Sequence, residues 1–108
     1  MTGYQVSFYT TLSRRVHGRL ARDWLVDLAR ELGIQGATVL AGVEGYGHHG
    51  RIHAAHFFEL ADEPIVLIMV VSEEHKDLLF SRLRAAACNF FYTVQAVEFG
   101  MTGGPATG

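Results

Sequence analysis

The sequence predicts a single α+β domain, a four-stranded antiparallel sheet with two helices on one face. Three observations predict it. Two stretches repeat their apolar residues at helical spacing, and four others read as strands rich in β-branched and aromatic residues. Their order is β-α-β-β-α-β. The chain's 108 residues leave room for one core. The domain is placed at 1–100, with a loop at about 45–56 and a flexible tail at 101–108.

The first strand is read at Tyr4–Tyr9, where Tyr4, Val6 and Phe8 alternate with Gln5, Ser7 and Tyr9. Thr10 to Arg15 is a polar connection. From His17 to Leu32 the period becomes helical. Leu20, Trp24, Leu28 and Leu32 form one row and Ala21, Leu25 and Ala29 the next. Arg19 with Asp23 and Asp27 with Arg30 are spaced as surface ion pairs on that helix. Gly33 stands where a left-handed cap is wanted.

The second strand carries Val39, Ala41 and Val43 on one face, then dissolves into a loop. From Gly42 to Gly50 four of nine residues are glycine, which opens the backbone to positive φ and to close approach by a ligand. His48, His49, Arg51 and His53 fall in or just beyond that run. Ile52–Leu60 is read as extended, and Asp62-Glu63-Pro64 as a turn or bulge. Ile65–Val71 is an unbroken apolar strand expected to be covered on both faces. Two helices cover one face, so an oligomer is expected to cover the other.

Ser72 is an N-cap, followed by Glu73, Glu74 and Asp77 at the helix's positive end. Leu79, Phe80, Leu83, Ala86 and Ala87 make that helix's buried stripe, His75 is read as surface, and Asn89 ends the helix. Phe90–Phe99 is the last strand. The whole is the ferredoxin-like βαββαβ arrangement.

Composition bounds the function. The net charge of −2 gives no reason to expect nucleic acid or an anionic membrane. The longest apolar run, Ile65–Val71, is too short to insert in a bilayer, and the N-terminus has no secretory character, so a cytoplasmic protein is expected. Eight arginines against one lysine suit forked recognition of carboxylate or phosphate, and are also what a GC-rich genome yields. The single cysteine, Cys88, rules out an internal disulfide and reads as a buried, inert thiol without a basic neighbour. No paired carboxylate or nucleophile motif is present, so no enzyme is expected. Phe90, Phe91, Tyr92 and Phe99 are read as packing residues rather than a base-stacking sheet.

Gly33-Ile34, Gly36, Thr38-Val39, Val43, Gly45-Tyr46-Gly47 and Gly50 resemble the pattern of PII signalling proteins, in which such a strand opens a long T-loop. Phe58-Glu59-Leu60, Pro64 and Ile65–Val71 look like the returning strand. His17-Gly18-Arg19, Gly36-Ala37-Thr38-Val39-Leu40 and Arg51-Ile52-His53 look closer still to the PII-like group catalogued as domain of unknown function 190. The resemblance covers about residues 4–100.

It implies a PII-like homotrimer that binds an adenine nucleotide in clefts between subunits and signals to a target protein, a transporter or metabolic enzyme, through the loop. By position, Thr38 and Val71 would line the base, and Gly45 and Gly47 would approach the ribose and phosphates. Tyr46 and Ser72 belong to the same nucleotide site. His48, His49 and Arg51 would lie near the phosphates or a small anion such as bicarbonate. The chain departs from the pattern in having His48-His49 after the glycines, Ile65 after the strand-entry proline, and Ala85–Phe90 in place of a Gly/Lys-rich phosphate loop. ADP or AMP is therefore expected over ATP, as an effector and not a tightly bound cofactor. The alternative reading is a metal-binding PII-like protein using His48, His49, His53 and His56 for divalent-ion sensing or tolerance.

Overall fold

The computed structural model describes residues 1–42, 44–46, 52–54 and 63–104, and of 44–46 and 52–54 the backbone alone. The elements in chain order are β1 (Thr2–Thr11), β2 (Arg15–Val16), β3 (Arg19–Leu20), α1 (Ala21–Glu31), β4 (Thr38–Ala41), β5 (Glu44–Tyr46), β6 (Ile52–Ala54), β7 (Pro64–Val71), α2 (Glu73–Ala85) and β8 (Phe91–Glu98).

The main sheet has the order β4-β7-β1-β8. All its pairings are antiparallel, with Val6 opposite Met69 on one side and Val94 on the other, and Thr38 opposite Ile68. This is the ferredoxin-like sheet with its two α-helices. Alternation along β7 divides the strand: Ile65, Leu67, Met69 and Val71 are buried, while Val66, Ile68 and Val70 are not. Leu67, Met69 and Val71 of the buried set meet Val6 and Phe8 from β1, Leu25, Leu28 and Ala29 from α1, and Leu79 and Leu83 from α2 in one core. Phe8 anchors it, with its ring 6.0 Å from that of Phe80 and 5.8 Å from that of Phe90. Burying these side chains drives the fold, each large one contributing about 1.5–3 kcal/mol.

The other face of the sheet is open. Leu40 is 50% exposed and Val70 40%. Among the described residues, cover on both faces of β7 is thus not present, and β4 is exposed along its whole length.

Several expected boundaries shift. The first strand runs past Tyr9 to Thr11, because β7 continues to pair with it there, Thr10 opposite Ile65 and Thr11 opposite Pro64, after the pairing with β8 has ended at Tyr9. The first helix starts at Ala21, not His17. His17 (φ 51°) and Gly18 (φ 79°) occupy the two central positions of a hairpin turn between β2 and β3, where a two-residue loop requires positive φ. Arg19 is therefore not helical and bonds Asp27 instead of Asp23, while Asp23 sits 3.7 Å from Arg22. The Asp27–Arg30 pair forms at 3.8 Å.

Both helices end alike. The Ile34 and Gly33 amides bond the Ala29 and Arg30 carbonyls, and the Cys88 and Ala87 amides bond the Leu83 and Arg84 carbonyls. These are Schellman closures, each with a left-handed residue at its turn. Gly33 (φ 80°) fills that position in α1 and Ala87 (φ 53°) in α2. Ala87 is consequently exposed and not part of the buried stripe, and α2 ends before Asn89 is reached.

Candidate functional site

The described site residues hang on β4, β7 and the start of α2. Val71 ends β7, is 2% exposed, and lies opposite Tyr4. Ser72 follows in extended conformation, and its Oγ accepts the His75 amide at 3.1 Å. Glu73 and Glu74 in the first turn complete a favourable helix start. The helix's positive end is thereby already answered from within the chain. Thr38 begins β4 on the open side of the sheet, exposed, opposite Ile68.

Beyond Ala41 the chain leaves the sheet. The Gly42 amide bonds the Pro64 carbonyl at 2.7 Å, extending the ladder by one rung past the end of β4. A side chain at Gly42 would meet Pro64 Cγ at 3.1 Å, so this close passage favours glycine. Then β5 and β6 pair as a ribbon, Glu44 opposite Ala54, Gly45 opposite His53 and Tyr46 opposite Ile52. The expected extended character of Ile52 onward is met for these three residues. Gly47, His48, His49, Arg51 and His56 lie outside the described residues.

Within one chain the predicted site divides. Val71 and Ser72 sit at one end of β7. Gly45 and Tyr46 follow the end of β4 that pairs with Ile65, six residues away along β7, or about 20 Å of strand. Thr38 lies midway. The metal alternative keeps only His53 among the described residues, and there no group of three or more His, Cys, Asp or Glu side chains could hold a metal ion.

Two basic residues reach a place the sequence did not suggest. His17 Nε2 lies 2.8 Å from the Ala86 carbonyl oxygen, and its ring stands 6.1 Å from Trp24. Arg14 donates to the Asn89 carbonyl and stacks its guanidinium 4.3 Å above the Phe90 ring. They clip the β2–β3 hairpin onto the turn after α2. The signal was the His17-Gly18 dipeptide, a hairpin turn hidden inside an apparent helical period. Cys88 is half-buried, and burial raises its thiol above the ordinary range while the nearby Arg14 charge opposes that shift. The expected lack of a basic neighbour thus holds along the sequence and fails in space.

The strand order, with a two-stranded ribbon following β4, defines an α+β protein of ferredoxin-like fold. The chain belongs to the DUF190 family, described as "Uncharacterized ACR, COG1993", whose model matches residues 3–99. A "UPF0166 protein" of Aquifex aeolicus (strain VF5) is 28% identical over 90 residues, covering 83% of this chain and 86% of that protein. Among solved structures, CPII from Thiomonas intermedia K12, a nitrogen regulatory PII-like protein bound to ADP, AMP and bicarbonate, superposes with a TM-score of 0.71 at 20% identity. That match covers 94% of this chain and 91% of CPII. A putative PII-like signaling protein from Thermus thermophilus gives 0.65 at 20% identity, covering 90% and 88%. At such identities the likeness is one of fold.

Proposed function

We propose that this chain is a PII-like regulatory protein that binds an adenine nucleotide in clefts between the subunits of a homotrimer. ADP or AMP is favoured over ATP, and a small anion such as bicarbonate joins it. The loop at 45–56 carries the signal to a cytoplasmic target, a transporter or metabolic enzyme, and the protein catalyses no reaction. The observation that carries the reading is the likeness over 94% of the chain to CPII, which is bound to ADP, AMP and bicarbonate.

Two physical features support it. The open sheet face presents Leu40, Val66, Ile68 and Val70, apolar side chains whose burial against another copy would be favourable. The division of Thr38, Val71 and Ser72 from Gly45 and Tyr46 is what a cleft between copies would close, one copy supplying each part. Loss of a Gly/Lys-rich phosphate loop favours fewer phosphates.

The test is calorimetric titration with ADP, AMP, ATP and cyclic AMP, each with and without bicarbonate, on protein whose mass is measured by light scattering. Micromolar binding of ADP or AMP to a trimer is expected, with loss of both trimer and binding in Ile68→Glu. No heat with any nucleotide would overturn the nucleotide reading, and a monomeric wild type would overturn the cleft.

A further inference from the structure

We propose that the β2–β3 hairpin is a releasable clasp that passes a displacement at the loop end of the sheet to the turn after α2. The effector it would serve is the nucleotide of the reading above, and in that respect the inference rests on that reading. The clasp itself stands on contacts within the chain.

Three parts of the chain meet at the connection between β1 and α1. On one side the Leu12 amide bonds the carbonyl of Glu63, the residue before β7, at 2.8 Å, and the Gly42 amide bonds the Pro64 carbonyl beside it. This is the end of the sheet where β4 gives way to the β5–β6 ribbon. On the other side His17 Nε2 stands 2.8 Å from the Ala86 carbonyl oxygen, and Arg14 donates to the Asn89 carbonyl while stacking on Phe90. The Ala21 amide bonds the Arg14 carbonyl at 2.7 Å, closing the base of the hairpin onto the start of α1. Among the described residues, the remaining hydrogen bonds of residues 86–89 return to α2 or stay within the turn. By hydrogen bonds, therefore, it is the hairpin that ties this turn to the fold beyond its own helix.

The need for an outside tie is local. An α-helix ends with carbonyls that have no partner within it, and its C-terminal end is negative, so basic side chains suit it. Ala85, Ala86 and Ala87 offer no polar side chain, and Ala87 closes the helix in a left-handed conformation. Arg14 and His17 supply the missing donors from across the chain. The tie is also one that can let go. His17 is exposed, β2 and β3 are two residues each, and within residues 15–20 only Val16 is buried. Few buried contacts and surface hydrogen bonds put such a segment at the low end of local stability, from which moving elements are drawn. With Val16 as its pivot the hairpin has two arrangements, engaged and open, and a two-state element of this kind is what carries coupling between distant parts of a chain.

The chain carries its own reporters. Cys88, its single cysteine, lies half-buried in the turn, and Trp24, its single tryptophan, has its ring 6.1 Å from that of His17. Labelling of Cys88 by an aromatic disulfide reagent, well below the urea midpoint, measures opening of the turn. Arg14→Met keeps an apolar stem over Phe90 without donors, and His17→Asn tolerates the left-handed turn but is too short to reach Ala86. Each should speed labelling about three- to tenfold, the factor of one lost hydrogen bond. Helical signal should be retained, and the shallow urea dependence of local rather than global opening should accompany it. Gly42→Ala tests the passage, since its Cβ would stand 3.1 Å from Pro64 Cγ. It should change the Cys88 rate and Trp24 emission in the wild type and leave the Cys88 rate unmoved on Arg14→Met. ADP or AMP that binds by calorimetry should act in the same way on both proteins. Unchanged labelling in both clasp variants overturns the clasp, and an equal effect of Gly42→Ala with and without Arg14 overturns the passage. Nucleotide binding that leaves the Cys88 rate unchanged overturns its part in regulation. Calorimetry with no nucleotide heat would sink the reading above, and the unliganded rates would still decide the clasp.

Discussion

The two helix ends provide a reciprocal experiment. Gly33 and Ala87 occupy the same position of the same closing motif, at φ 80° and 53°. For an L-residue with a side chain the left-handed region costs about 1–2 kcal/mol, which glycine avoids. Glycine in turn has more freedom in the unfolded chain, which offsets about 0.4–1 kcal/mol. Ala87→Gly should therefore stabilise the protein by about 0.5–1 kcal/mol, although it removes a methyl group, because Ala87 is exposed and buries little. Gly33→Ala should destabilise by a similar amount. Its new Cβ would stand 3.9 Å from His75 Nε2, an ordinary contact, so the cost is conformational and not steric. Urea denaturation of both variants and the double mutant, at one fixed protein concentration, measures this, and the double mutant should return close to the wild type. In thermal melts each single change should move the midpoint by about 4 °C in opposite directions. If Ala87→Gly lowers stability, the left-handed strain inferred at that turn is absent and the reasoning fails.

Two further predictions concern packing and charge. Gly3→Ala should destabilise strongly, by about 2 kcal/mol or more, because its Cβ would overlap the Val71 carbonyl oxygen and stand 2.9 Å from Phe99 Cε1. Unchanged urea midpoints for that variant would show that β1 and β7 can separate freely there. Asp27 is held below its ordinary carboxylate value of 3.8, chiefly by the hydrogen bond from Arg19, with burial opposing and the Arg19 and Arg30 charges assisting. A lowered folded value means stabilisation that is present above the unfolded pKa and is lost as pH falls through the folded one. Asp27→Asn should thus flatten the stability profile below about pH 4, and an unaltered acid profile would sink the assignment.

The local pattern was sufficient for the order of the two helices and the four strands of the main sheet, though not for the β2–β3 hairpin or the β5–β6 ribbon. Val6 and Phe8 alternate because a strand with one buried face needs period two, and Ala21, Leu25 and Ala29 recur because a helix buries one stripe. Ser72 was legible as a cap for the same reason, since extended backbone and a hydroxyl before acidic residues suit no other position so well. Errors came where local signals compete. His17 and Gly18 continue a helical period in sequence, yet their positive φ values turn the chain in a hairpin, a choice consistent with the contact from His17 to Ala86, sixty-nine residues away. Arg19 took Asp27 as its partner once it left the helix. Ala87 looked like core from its spacing and became the turn.

For the candidate site, the sequence by itself determined the residue types and the strand they leave from: glycines after β4, Thr38 at its start, Val71 and Ser72 at the junction with α2. Periodicity encodes which face a residue takes, and that much is local. Only the tertiary structure decided how those pieces stand to one another. Register is set across strands, by the pairing of Thr38 with Ile68 and Ala41 with Ile65, and it is this register that divides the site within one chain. Among the described residues the same long-range pairing left Leu40 and Val70 uncovered on one face and β8 unpaired on one edge. No periodicity carries that information, because it depends on which elements the sheet has and which it lacks beside each strand.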